Sequence, residues 1–177
     1  VLNINSGTVL SPIIVNSSGT LNWIGGLLTR NLTQDQGSQV SMSGGLLLGD
    51  WNIASNALAN FKGGTKYFSG SLTNKGTANW SNGDIVVYDL IGAYPKAGPI
   101  VNENGGIWNI QCDANLQSYN NGTNTYFQNL GTVVKTGKYG NTQILVYYRN
   151  QGQTIVESGN LIFGYGAMLS SSFTAKP

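Results

Sequence analysis

Short apolar runs broken by Gly, Asn and Ser set the pattern of this chain. Leu46-Leu47-Leu48, Ile85-Val86-Val87-Tyr88, Thr132-Val133-Val134, Ile144-Leu145-Val146-Tyr147-Tyr148, Thr154-Ile155-Val156 and Leu161-Ile162-Phe163 are β-branched, aliphatic or aromatic and are bounded by turn-forming residues, which predicts many short strands. No stretch of eleven or more residues keeps apolar side chains at i, i+3, i+4 and i+7, and Gly interrupts almost every candidate window, so no helix is expected.

The runs also repeat. Gly19-Thr20-Leu21-Asn22-Trp23 is answered by Gly76-Thr77-Ala78-Asn79-Trp80 and by Gly106-Ile107-Trp108-Asn109-Ile110. Looser copies are Gly131-Thr132-Val133-Val134-Lys135 and Gly152-Gln153-Thr154-Ile155-Val156, with Asp50-Trp51-Asn52-Ile53 as a further partial one. The glycine starts lie 30, 25 and 21 residues apart (106 − 76, 131 − 106, 152 − 131). That spacing is too long for one hairpin strand and suits a coil of two or three short strands. A second piece follows the first, since Trp23-Ile24-Gly25-Gly26-Leu27-Leu28 parallels Trp80-Ser81-Asn82-Gly83-Asp84-Ile85, a strand leading through a Gly corner into another strand.

Period-two alternation within the motif sends Leu21 and Trp23, Ala78 and Trp80, and Trp108 and Ile110 to one face, with Asn22, Asn79 and Asn109 on the other. Stacked coils would turn that recurring Asn slot into a ladder of like residues. Lys135 occupies the slot of Trp23, where it would bury a charge, so the fourth copy is expected in a shifted register.

The motifs GTLNW, GTANWSNGDI, GGIWNIQCDA and LGTVVKTG with NQGQTIVESGNLIF resemble the degenerate repeats of right-handed parallel β-helix regions in large secreted or surface bacterial proteins, of the autotransporter-passenger or haemagglutinin-like adhesin type. The likeness covers about residues 19 to 166. It implies a stalk, spacer or adhesive shaft, and for a minority of similar solenoids a polysaccharide-cleaving enzyme. The expected fold is therefore an all-β, right-handed parallel β-helix of about seven coils, at roughly 20–30 residues per coil. Residues 1–18 form an entry segment, 19–166 the repeat domain and 167–177 an exit segment. The alternative is an antiparallel β-sandwich fibre subunit that donates Val1 to Val15 to a neighbour.

Composition narrows the chemistry. Nine Lys and Arg and seven Asp and Glu make 9% of 177 residues, against about 25% in an average domain. The basic residues are scattered, which argues against a nucleic-acid partner. There is no His to serve as general base or zinc ligand, and the lone Cys112 excludes an intrachain disulfide. Cys112 reads as a small apolar core group. Gly and 22 Asn supply many tight corners. No segment reaches the roughly 20 apolar residues of a membrane helix. The opening Val1-Leu2-Asn3-Ile4, without a signal-peptide pattern, reads as a mature or excised piece of a longer precursor.

Cleavage of a glycan needs two carboxyl groups facing one groove. Asp84 and Asp89 bracket one strand about 16 Å apart, and Asp50, Asp84 and Asp113 read as turn residues. No metal site and no cofactor are expected, and the chain is read as non-enzymatic. Aromatic side chains are the binding candidates, because a rigid apolar ring with a polar handle stacks on sugars or on protein. They are Tyr94, with Lys96, in a Pro-containing insertion, Tyr119 in a second insertion, and the adjacent pair Tyr147 and Tyr148, of which alternation turns one inward and one outward. Such insertions often gather on the functional side of a solenoid. Asn16, Asn31, Asn79 and Asn121 stand in Asn-x-Ser/Thr acceptors. The resulting expectation is an extracellular or cell-surface structural or adhesive module. Its partners would be itself or adjacent repeats, end to end, and carbohydrate, with no membrane insertion.

Overall fold

A computed structural model describes residues 1–88, 98–119, 125–137 and 139–176. Within them the chain coils into a right-handed parallel β-solenoid of about eight turns, without a helix. Each turn gives one strand to each of three parallel sheets of nine, eight and eight strands among the described residues. Every pairing joins a strand to its counterpart one turn on, and all are parallel, so the sandwich alternative does not hold. Residues 1–15 are not one strand. They contribute Leu2–Ile4, Thr8–Val9 and Ile13–Val15, one to each sheet.

The first sheet holds the repeated motif in the register read from the sequence. Thr77-Ala78-Asn79-Trp80 pairs with Ile107-Trp108-Asn109-Ile110, and that strand with Thr132-Val133-Val134-Lys135. The partial copy at Asp50 belongs elsewhere, because Trp51–Ile53 lies in the third sheet beside Leu72–Asn74. Two copies without a leading glycine complete the series, Gln39–Met42 and Leu58–Phe61, stacked between Thr20–Trp23 and Thr77–Trp80. The early coils thus advance 19 residues per turn, as in the Asn22–Asn3 and Asn79–Asn60 pairs, and this shorter step adds a coil to the expected seven.

The turn chemistry explains the missing glycines. Gly19, Ser38, Ala57 and Gly106 each donate their N–H to a carbonyl three residues earlier, closing the same corner. What that corner requires is a left-handed residue one place before, supplied by Ser18, Gly37, Asn56 and Gly105. At the opposite end of the first-sheet strands glycine is needed outright. Gly26 has φ +96°, and a Cβ there would stand 2.6 Å from the Gly7 carbonyl oxygen of the coil below.

Inward positions form a continuous core along the axis. Leu21, Trp23, Val40, Met42, Phe61, Trp80 and Trp108 are fully buried, as are Leu32, Trp51, Leu72 and Phe127 from the third sheet. Rings touch along the axis, with Phe61–Trp108 stacked at 5.6 Å, then Trp108–Phe127 at 5.2 Å and Phe127–Tyr148 at 5.3 Å. Cys112 packs into this core, and burial pushes its thiol pKa up.

The outer Asn slot of the first sheet is a ladder in part. Asn22 donates to Asn3 at 2.9 Å, Asn79 to Asn60 at 3.1 Å and Asn109 to Asn79 at 2.8 Å. A second ladder, inside the third sheet, is fully buried. Asn74 donates to Asn102, Asn102 to Asn129 and Asn129 to Asn150, each at 2.8 Å from Nδ2 to Oδ1. The spare amide hydrogens reach backbone carbonyls at the corner into the first sheet, those of Ile107, Thr132 and Gln153. Fully buried, these amides satisfy one another and the corner, which pins four successive turns in register.

Candidate functional site: an outer tyrosine ladder

Strand alternation decides which side chains reach solvent on the second sheet. In Lys66-Tyr67-Phe68 the core takes Lys66 and Phe68 and leaves Tyr67 outside, and in Ile85-Val86-Val87-Tyr88 it takes Ile85 and Val87. Tyr119 follows Asn115–Ser118 one turn further on, and its N–H bonds the Val87 carbonyl. Tyr88 and Tyr119 therefore stack, centroids 4.5 Å apart and planes 19° from parallel, and Tyr67 meets Tyr88 at 5.5 Å and 59°. Beside them lies a shallow groove of about 320 Å³ lined by Thr65, Tyr67, Val86, Tyr88, Gln117, Ser118 and Tyr119. Val86 faces outward yet is only 4% exposed, whereas Tyr119 is 63% exposed. Burial, then the neighbouring phenols of Tyr119 and Tyr67, hold the Tyr88 hydroxyl above its usual pKa.

A second aromatic group stands on the third sheet. Tyr126 and Tyr147 are paired in register, and the Arg149 guanidinium lies 4.1 Å from the centre of the Tyr126 ring and 5.7 Å from that of Tyr147. Residues 89–97 and 120–124, which contain Tyr94, Lys96 and Asn121, lie outside the described residues, and both join a second-sheet strand to a third-sheet strand. Of the adjacent pair, Tyr147 is outward and Tyr148 is inward and fully buried, its hydroxyl 2.6 Å from that of Thr154. Tyr148 therefore presents no face to a ligand, and burial drives its pKa up to about 12.

Sequence reasoning reached Tyr119 but passed over Tyr67 and Tyr88 as partners. They stand 21 and 31 residues apart along the chain (88 − 67, 119 − 88), and the stacking of unequal coils brings Tyr88 under Tyr119 and sets Tyr67, which pairs with Val86, diagonally beside Tyr88.

The acids serve the corners. Asp50 Oδ1 accepts the Ser71 N–H, and Asp84 Oδ1 accepts the Asn115 N–H, each one turn on. Asp113 takes Lys135 Nζ on one oxygen at 3.0 Å and the Gly140 N–H on the other at 3.1 Å. That pair also corrects the expected shift of the fourth copy. Lys135 keeps the repeat's register beside Ile110 and is fully buried, and the Asp113 carboxylate offsets its charge. Lys66 is buried too and donates to the carbonyls of Asn82 and Gly83, and desolvation lowers its pKa to about 8. Among the described residues no three His, Cys, Asp or Glu side chains form a group able to hold a metal ion.

Of the Asn-x-Ser/Thr acceptors, Asn16 and Asn31 are exposed. Asn79 is held within the outer ladder by both of its amide groups.

The architecture is that of a parallel β-solenoid. No family model, no curated protein and no solved structure matches the chain.

Proposed function

We propose that the chain is a non-enzymatic structural or adhesive module of an extracellular surface protein or filament, extended end to end by further coils of the same kind. The observation that carries this reading is the stacking itself: among the described residues every strand pairs in parallel with its counterpart one turn on, in three sheets around one continuous core, and such a coil repeats along its axis without a change of contacts. Leu169 and Phe173 are exposed where their partners one turn before, Asn150 and Thr154, are buried, and a parallel edge with apolar side chains beside it is a template for another coil. Eight coil steps of about 4.8 Å make each module a rod section roughly 40 Å long.

Light scattering across a concentration series, with electron microscopy of the same samples, tests the reading. Rods should lengthen with concentration, and Leu169→Lys with Phe173→Lys should abolish them while leaving the sheet spectrum intact. A uniformly monomeric particle at every concentration would overturn end-to-end assembly.

A further inference from the structure

We propose that the ladder Tyr67–Tyr88–Tyr119 binds a neutral carbohydrate chain lying along the rod, an assignment that deepens the adhesive half of the reading above. Three contiguous rings on an outer sheet face are not explained by the core, because Tyr119 leaves 63% of its surface in water. Its ring stacks on Tyr88. A tyrosine gives a rigid stacking surface at little entropic cost and carries a hydroxyl at its rim. The Gln117 amide and Thr65 hydroxyl add hydrogen-bonding groups beside the rings, and Val86 gives the groove an apolar floor.

That combination selects the ligand class. Stacked rings fit the apolar C–H face of a sugar ring, and the amide and hydroxyls fit its hydroxyl rim. Among the described residues no Asp, Glu, Lys or Arg lines the groove, so none of them complements the charge of a sulfated, phosphorylated or uronic sugar. A stable protein partner would engage about 20–30 residues, far more than the seven described residues that line this groove. The rungs belong to successive turns about 4.8 Å apart, so the platform extends along the axis and suits a polymer rather than a compact ligand.

Affinity electrophoresis in native gels tests this, with separate gels containing an α-glucan, a β-glucan, mannan, galactomannan, xyloglucan or soluble chitin oligosaccharide, and heparin and pectin as charged counterparts. At least one neutral polymer should retard the protein. Tyr88→Ala and Tyr119→Ala should each weaken that retardation about tenfold or more, and Tyr139→Ala, at an exposed ring on another corner, should not. Because Tyr119 is the most exposed ring of the three, its variant decides the matter if Tyr88→Ala fails to fold. Migration unchanged in all six neutral gels, retardation that survives Tyr119→Ala, or binding to heparin and pectin alone would each overturn the assignment. Light scattering on the same samples separates the two readings. Rods without binding count against the ladder, and binding without rods counts against assembly.

Discussion

Replacing Asn102 by Leu removes the centre of the buried amide ladder while keeping the number and branching of side-chain heavy atoms. In the native coil Asn102 Nδ2 donates to Asn129 Oδ1 at 2.8 Å and to the carbonyls of Gly106 and Thr132 at 3.1 Å, and its Oδ1 accepts from Asn74. The leucine leaves four polar groups short of a partner in a region closed to water, at about 1–3 kcal/mol for each one that stays orphaned. Asn74 keeps its bond to the Ile107 carbonyl, and some relaxation is available, so a net loss of about 3–6 kcal/mol follows. At a urea slope of about 2 kcal/mol/M this moves the unfolding midpoint down by about 1.5–3 M, read by tryptophan fluorescence and far-ultraviolet circular dichroism together. The matched control is Asn79→Leu in the outer ladder, where water can replace the lost partners and the cost should stay near 1 kcal/mol. Equal losses in the two variants would refute the argument that exclusion of water gives the inner ladder its weight.

Two further predictions concern the buried lysines. Asp113→Ala should cost about 2–4 kcal/mol, because it removes the carboxylate that offsets the buried Lys135 charge, the figure being discounted for the partial exposure of Asp113. Adding Lys135→Met should recover most of that loss in urea unfolding, and no recovery would show that the ion pair is not its source. Burial sets the folded pKa of Lys66 to about 8, below the 10.5 of the unfolded side chain, so between these values the unfolded chain binds more protons and stability rises with pH. The cost of burying its charge, about 3 kcal/mol, is present in full below pH 8 and is relieved toward pH 10. From about pH 9 upward the rise is opposed and then reversed, since Cys112, whose burial raises its pKa above 9.0, and then Tyr148, whose folded pKa stands near 12, ionise first in the unfolded chain. Stability measured in urea should peak between about pH 9 and 10, and Lys66→Met should erase the rise and keep the fall. A rise that persists in that variant would exclude Lys66 as its cause.

The sequence by itself determined the class of fold and much of its register. Alternation in Leu21-Asn22-Trp23, Ala78-Asn79-Trp80 and Trp108-Asn109-Ile110 allows one buried face only, and their shared glycine lead marks equivalent corners. The coils led by Ser38 and Ala57 were not legible, because the corner depends on the backbone angle of the residue before, which Ser, Asn and Gly all provide here. Residue type also misjudged the lysines. Lys135 read as a register breaker and nothing in the sequence marked Lys66 as buried, and the carbonyls and the carboxylate brought over from adjacent turns make their burial tolerable. The inner ladder of Asn74, Asn102, Asn129 and Asn150 and the outer one of Tyr67, Tyr88 and Tyr119 have irregular spacing along the chain. Tertiary structure decided both, because coils of unequal length keep their strands aligned by absorbing extra residues at the corners, and that alignment sets which side chains meet.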